Sequence, residues 1–128
     1  HVSSRICWLG SRDDVPSILA AIDAFAMPSR YKGHSMALLE AMAAGRACVV
    51  SDLPELAGTL QDAGLAAASG DAAALAGALE RLRADGPLRA RLGRAARAAV
   101  QRFSIDASAE RYRDLYANIA AERGLEWR

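Results

Sequence analysis

The chain has 128 residues, of which 52% are hydrophobic and 24% charged, as is usual for one folded domain. Its 16 basic and 15 acidic residues leave a formal net charge of +1, which argues against a nucleic-acid binder that relies on a broad basic surface. No apolar run approaches the roughly 20 residues that span a bilayer. Two cysteines, Cys7 and Cys48, each lie within an apolar run. They favour buried thiols in a reducing cytoplasm over a disulfide or metal site.

Short apolar runs alternate with helical patterns over residues 1–70, which is typical of βαβ units around a parallel sheet. The predicted strands are Arg5–Leu9, Ala24–Met27, Ala47–Val50 and a weaker one within Ala63–Ala68. The predicted helices between them are Val15–Ile22, Ser35 or Met36 to about Ala43, and Glu55–Leu60. Asp13 and Asp14 are placed to cap the first of these helices, and Gly45 to end the second.

Residues 71–128 are predicted to be helical throughout. Three helices are indicated by Leu75, Leu79 and Leu82, by Pro87 at a helix start, and by Ser104 or Asp106 as the cap of a last helix. We therefore expect one α/β domain, a Rossmann-like parallel sheet flanked by helices over about 1–70 and a helical segment over about 71–128. Trp8 is predicted to be a core residue, and Trp127 a tail residue or an anchor.

The stretch from Pro28 to Gly45 contains the candidate chemistry. A strand ends, a loop containing Gly33 follows, and a helix begins at the sheet edge where ligands of open α/β sheets bind. The N–H groups and partial positive charge of a helix start suit a diphosphate, and Lys32 adds a full positive charge. Glu40, further along, could accept two hydrogen bonds from ribose hydroxyls. A single acidic residue on a helix is nevertheless more often a solvated side chain.

This stretch resembles the signature of family 4 (group 1) glycosyltransferases, which runs Pro-Ser, two variable residues, Glu-Gly-Phe-Gly, an apolar run and Leu-Glu-Ala-Met-Ala-x-Gly. Other segments are similar to that family in order and spacing, so the resemblance covers nearly the whole chain: Arg5–Gly10, Asp14–Met27, Cys48–Asp52, Asp71–Leu82 and Phe103-Ser104. The resemblance implies the C-terminal, donor-binding domain of a GT-B fold enzyme. Such an enzyme transfers a sugar with retention from a nucleotide-diphosphate donor to a glycan or lipid-linked acceptor.

The resemblance also implies roles for particular residues. Glu40 matches the second glutamate of the family's pair, which holds the ribose, and Ser11 and Arg12 fall in the loop near the base. Backbone amides for the donor diphosphate are implied at His34, Ser35, Met36 and Ala37, beside Gly33. The nucleotide sugar is a substrate, and neither a separate cofactor nor a metal is expected.

One departure from the family concerns Lys32, which stands where the first glutamate of the pair is expected. That carboxylate reaches the donor sugar and is tied to catalysis. A lysine cannot accept hydroxyl protons or stabilise a developing positive charge, although it can pair with phosphate. Two functions therefore stay open: a glycosyltransferase that handles the sugar differently, and a non-catalytic binding or assembly module. A third, an epimerase, lacks a recognisable acid and base.

The other departure concerns length, because a whole GT-B enzyme has two Rossmann-like domains that face each other across a cleft. We therefore expect an incomplete donor domain that works with an N-terminal acceptor domain and that, alone, binds nucleotide weakly without turnover. An unpaired sheet edge predicts self-association. A solvated surface is expected for Arg81, Arg83, Arg89, Arg91 and Arg94. Peripheral contact of these residues with the inner face of a membrane stays open as the alternative.

Overall fold

A computed structural model describes residues 2–124; Trp127 lies outside this range. The sheet has three parallel strands in the order β1 (Ala24–Met27), β2 (Ala47–Ser51) and β3 (Gly64–Ala67). Ala24 lies opposite Ala47 in the first pair, and Cys48 opposite Gly64 in the second. The predicted α/β fold, a parallel sheet flanked by helices, is confirmed.

Helices follow each strand and make up the rest of the described chain after Gly70. They are α1 (Val15–Ala21), α2 (Met36–Ala43), α3 (Pro54–Leu60), α4 (Ala72–Ala84), α5 (Gly86–Ala99) and α6 (Ile105–Glu122). Short 3₁₀ turns lie at Val2–Arg5, Gln61–Ala63 and Val100–Phe103. Four helices begin at a residue whose side chain accepts a first-turn N–H: Ser35, Asp71, Asp85 and Ser104. Local cap chemistry thus sets these helix starts.

The core lies on both faces of β2, whose five residues are all buried. Alternate residues of a strand point to opposite faces, so Cys48 and Val50 pack with α2 and α3 while Ala47 and Val49 pack with α4. Helix α5 contributes to both layers, with Leu88 and Leu92 in one and Ala96 in the other. The central strand of the sheet is therefore held from both sides.

The C-terminal end of α2 is fixed by a close backbone contact. Gly45 adopts φ +69° and ends the helix, and a Cβ atom on Gly93 of α5 would lie 2.2 Å from the Gly45 carbonyl oxygen. Only glycine at position 93 allows this approach. Arg46 adds hydrogen bonds to the carbonyls of Ile22 and Ala44, at 2.9 and 3.0 Å. The orientation of α2 is thus set by α5 and by the end of α1.

The strand predicted at Arg5–Leu9 is wrong. Val2–Arg5 forms a 3₁₀ turn, and the chain from Ile6 to Asp14 has no regular structure. A strand needs a neighbour to pair its N–H and C=O groups, and none of the three described strands pairs with this segment. Trp8 is consequently 90% exposed and Cys7 is exposed, so the predicted burial of both is wrong.

The predicted capping of α1 by an aspartate side chain is also wrong. Asp14 occupies the N-cap position, but its side chain makes no cap hydrogen bond. Its two carboxylate oxygens instead accept hydrogen bonds from the Arg12 guanidinium. The charge-assisted, two-point interaction takes precedence over the weaker bond to a backbone N–H.

Candidate functional site

The candidate site lies where the three parallel strands end. Residues 28–35, called here the donor loop, connect β1 to α2. It is joined to the loops after β2 and β3 by hydrogen bonds: Ser69 donates its N–H to the Asp52 carboxylate at 2.8 Å and its hydroxyl to the Ser29 carbonyl at 3.4 Å. The Asp52 N–H in turn donates to Ala67. Three loops therefore form one connected edge, the usual ligand side of such a sheet.

Ser35 fixes the start of α2. Its side chain is buried, accepts a hydrogen bond from the Leu38 N–H at 3.3 Å and donates one to the Met27 sulfur at 3.2 Å. Because the hydroxyl is used in this way, only the backbone of Ser35 is suited to a ligand. The N–H groups of Met36 and Ala37 have no acceptor within an α-helix, and both residues are exposed. The helix thus presents its positive end to solvent.

Lys32, Gly33 and His34 form the exposed tip of the donor loop. Among residues 2–124, the Lys32 side chain has no hydrogen-bond or ion-pair partner. A Cβ atom at Gly33 would meet nothing within 4 Å, so nothing in the described fold itself requires glycine there. The His34 ring packs on Phe103, with centroids 5.4 Å apart and planes tilted by 54°. Phe103 belongs to the closing Phe-Ser pair of the sequence, but the sequence did not indicate that it contacts the loop.

Glu40 is exposed and lies on the same side of α2 as Met36, about 6 Å along the helix axis. It lines two concavities that lie on either side of α2. One, of about 420 Å³, is a mainly apolar groove against α1, next to Val15 and Leu19. The other, of about 310 Å³, lies against Val100 and Phe103. Glu40 therefore borders spaces that a ligand group can enter.

Ser11 and Arg12 lie in the irregular segment before α1. The Arg12 guanidinium donates to both Asp14 oxygens, at 2.6 and 2.7 Å. This pairing lowers the pKa of Asp14 and raises the pKa of Arg12. Sequence reasoning missed Asp14 as the partner, although the Arg-x-Asp spacing was a usable signal. Arg12 would have to share its charge between Asp14 and any bound anion.

Arg30 is a further residue at this edge that sequence reasoning did not single out. It lines a cavity of about 180 Å³ together with Pro28, Ser51 and Asp71. Asp71 is engaged in capping α4 through the N–H groups of Ala73 and Ala74. Within residues 2–124, no group of three or more metal-ligating side chains is close enough to hold a metal ion. In the same range, no helix is long and apolar enough to cross a membrane.

The chain thus combines a Rossmann-like parallel sheet with a loop and a helix start at the carboxyl edge, where ligands of open α/β sheets bind. The family described as "Glycosyl transferases group 1" matches residues 1–85 of the 128. The chain belongs to this family of glycosyltransferases. The resemblance to group 1 glycosyltransferases, which residues 28–45 indicate, is thereby confirmed.

Relatives of known activity cover most of the chain. It is 32% identical over 119 residues, 91% of its length, to the N,N'-diacetylbacillosaminyl-diphospho-undecaprenol alpha-1,3-N-acetylgalactosaminyltransferase of Campylobacter jejuni. It is 35% identical over 120 residues to a lipopolysaccharide core biosynthesis glycosyltransferase of Rhizobium meliloti. It spans only 32% and 35% of these two proteins.

A solved structure shows the same architecture. Sucrose-phosphate synthase from Thermosynechococcus elongatus matches 94% of the chain with a TM-score of 0.84 and 29% sequence identity. The chain covers 32% of that protein. The fold is therefore part of a GT-B structure, as expected. The roles of Lys32 and Glu40 in binding stay predictions.

Proposed function

We propose that this chain is the donor-binding half of a retaining glycosyltransferase that uses a nucleotide-diphosphate sugar. The observation that supports this most directly is the layout of α2. Its positive end, with the exposed Met36 and Ala37, lies at the sheet edge, and Glu40 lies about 6 Å further along beside two concavities. A diphosphate at the helix start and a ribose next to Glu40 would match this spacing.

In this proposal, the protein binds the donor and stabilises its leaving group. The backbone amides of residues 33–37 face the diphosphate, and negative charge builds there as the bond to the sugar breaks. Lys32 adds a compact positive charge on the same side. Glu40 accepts hydrogen bonds from the ribose, and Ser11 and Arg12 lie near the base. These groups hold and neutralise the nucleotide while the acceptor attacks.

Calorimetry with UDP, GDP and ADP tests the binding role. We expect the chain to bind one of them weakly and Glu40→Ala to lose about 10- to 100-fold in affinity, as expected for hydrogen bonds to a charged group. Glu110→Ala is a matched control, because Glu110 is also an exposed helical carboxylate but lies on α6. Equal affinity of Glu40→Ala and the parent chain would reject the ribose role.

The chain spans about a third of the length of its relatives. In this proposal, sugar transfer therefore requires a longer assembly that includes an acceptor-binding domain. A lipid-linked acceptor is supported by the diphospho-undecaprenol in one relative's name, and a cytoplasmic setting with peripheral membrane contact would follow from it. The outer edge of β1, which pairs with none of the described strands, and the exposed Leu115 and Tyr116 of α6 support self-association of the chain alone. Light scattering that gives a monomer at high concentration would contradict self-association.

A non-catalytic binding or assembly module is the second candidate, and Lys32 favours it. The discriminating experiment is Lys32→Glu in the full-length protein. If an existing sugar-transfer rate falls, the lysine has an adapted role in a working enzyme. If activity arises where there was none, the natural protein is a module that has lost catalysis.

A further inference from the structure

The middle of the donor loop is weakly tied to the rest of the fold. Its ends are held, because the Ser29 carbonyl accepts from Ser69 and the Ser35 side chain is buried. Between them, the side chains of Arg30, Tyr31 and Lys32 are exposed and form no hydrogen bond or ion pair with the described residues. His34 differs, because its ring packs on Phe103 from the 3₁₀ turn Val100–Phe103. This contact crosses from the loop to the C-terminal helical part.

Phe103 is itself firmly placed. Its ring is partly buried against the core and lies 4.7 Å from the Arg102 guanidinium carbon. Arg102 donates hydrogen bonds to the carbonyls of Gly58 and Thr59, at 3.0 and 2.7 Å, and also to the Gln61 side chain. The ring is therefore anchored to the end of α3.

We propose that Phe103 is a positioning residue, which holds the tip of the donor loop against the start of α2 through the His34 ring. A restrained loop presents the Gly33 and His34 amides to a diphosphate at a smaller entropic cost, so the contact should strengthen diphosphate binding. Only this effect on binding rests on the proposed function. The restraint itself is a property of the free chain. It is tested separately from nucleotide binding.

Limited trypsin digestion of the whole chain tests the restraint, since Arg30 and Lys32 are cleavage sites within the loop. We expect Phe103→Leu to speed cleavage there about three- to tenfold, the range that the strength of an aromatic pair allows. His34→Ala should have the same effect, and the double variant should add nothing. His34→Phe keeps an aromatic ring at position 34, so the loop of this variant should be cleaved as slowly as that of the parent chain.

Two controls separate a local effect from unfolding. Tyr112→Leu removes an exposed aromatic residue of α6 whose ring pairs with Tyr116, and it should leave cleavage at the loop unchanged. Cleavage after Arg46, whose guanidinium bonds to Ile22 and Ala44, reports global opening and should stay slow in every variant. Unchanged loop cleavage in Phe103→Leu, or additive effects in the double variant, would overturn the restraint.

Calorimetry with UDP, GDP and ADP, compared with UMP, GMP and AMP, tests whether the restraint by Phe103 strengthens diphosphate binding. We expect Phe103→Leu to weaken diphosphate binding about three- to tenfold and to leave monophosphate binding nearly unchanged, because the second phosphate is the group that reaches the loop tip. If the parent chain binds a diphosphate and Phe103→Leu binds it equally well, the positioning role is overturned. If the parent chain binds no nucleotide, the proposed function fails, while digestion still decides whether Phe103 holds the loop.

Discussion

The sheet unit, β1–β3 with α2 and α5, differs sharply from the two terminal segments, residues 6–14 and α6. Helix α2 has eight residues and buries four of them, whereas α6 has 18 and buries only Ala120. Yet α6 has an apolar face of its own, with Tyr112, Leu115, Tyr116 and Ile119 at helical spacing and all exposed. A pattern thus specifies a helix, but burial requires a surface to pack against. The helix proposed to hold the donor is fixed by its buried side chains, whereas the terminal segments bury few of theirs.

The strongest test of this contrast is a pair of leucine truncations. Leu38 of α2 is fully buried, so Leu38→Ala should lower the free energy of unfolding by about 2–5 kcal/mol. Leu115 of α6 is 50% exposed in the single chain, so Leu115→Ala should cost about 1 kcal/mol or less at protein concentrations low enough for the chain to be monomeric. Urea unfolding followed by circular dichroism measures both. Similar losses in the two variants would mean that α6 is covered in solution, for instance by a second copy of the chain.

The next test concerns the contact between α2 and α5. Gly93→Ala places a Cβ atom 2.2 Å from the Gly45 oxygen, so α5 must shift, at a cost of about 1–3 kcal/mol. Gly77 of α4 has nothing within 4 Å of its Cβ position, so Gly77→Ala should stabilise the helix by up to about 1 kcal/mol. Thermal unfolding should therefore move in opposite directions. A neutral Gly93→Ala would show that α5 is not tightly seated.

The two cysteines distinguish the sheet unit from the N-terminal segment by their chemistry. Burial raises the pKa of Cys48 from 9.0 to about 12, while Cys7 is exposed. A thiol reagent at pH 8 should therefore label only Cys7 until the protein unfolds. Modification of both in the native state would contradict the burial of β2.

The same shift predicts how stability depends on pH. In the unfolded state Cys48 ionises above about pH 9, but in the folded state it stays neutral until about pH 12. Ionisation of Cys48 therefore leaves the free energy of unfolding unchanged below pH 9 and lowers it by about 1.4 kcal/mol per pH unit above pH 9. Cys48→Ala removes this dependence. Urea midpoints of both proteins at pH 8 and pH 10 should show a steeper loss for the parent chain.

The sheet unit was predictable from the sequence because each of its signals is local. Ala24–Met27 forms a strand as predicted, and α2 begins after Ser35 and ends at Ala43 because a serine cap and a glycine at position 45 define its limits. The strand predicted at Arg5–Leu9 failed because its apolar run says nothing about whether a neighbouring strand is available. The burial of Trp8 failed for the same reason.

Parts of the candidate site depend on distant residues and could not be read from local patterns. The family signature indicated the donor loop and Glu40 directly. The packing of His34 on Phe103 joins positions 69 residues apart, counted from 34 to 103, and no spacing rule predicts it. The pairing of Arg12 with Asp14 is an exception, because the Arg-x-Asp spacing is a local signal; the choice of Asp14 between capping α1 and binding the guanidinium is nevertheless decided by geometry.

The smallest expected change in the free energy of unfolding comes from removing two serine caps, one in each region. The buried Ser35 side chain caps α2 by accepting from the Leu38 N–H and also donates to the Met27 sulfur, whereas Ser104 caps α6 by accepting from the Ala107 N–H at 3.1 Å. Ser35→Ala should cost about 1–2 kcal/mol and Ser104→Ala about 0.5–1 kcal/mol, because only the first leaves a buried N–H without an acceptor. Unfolding in urea measures both. If Ser104→Ala costs more, then α6 is held by its cap rather than left loosely attached, and the contrast between the two regions is weaker than their burial suggests.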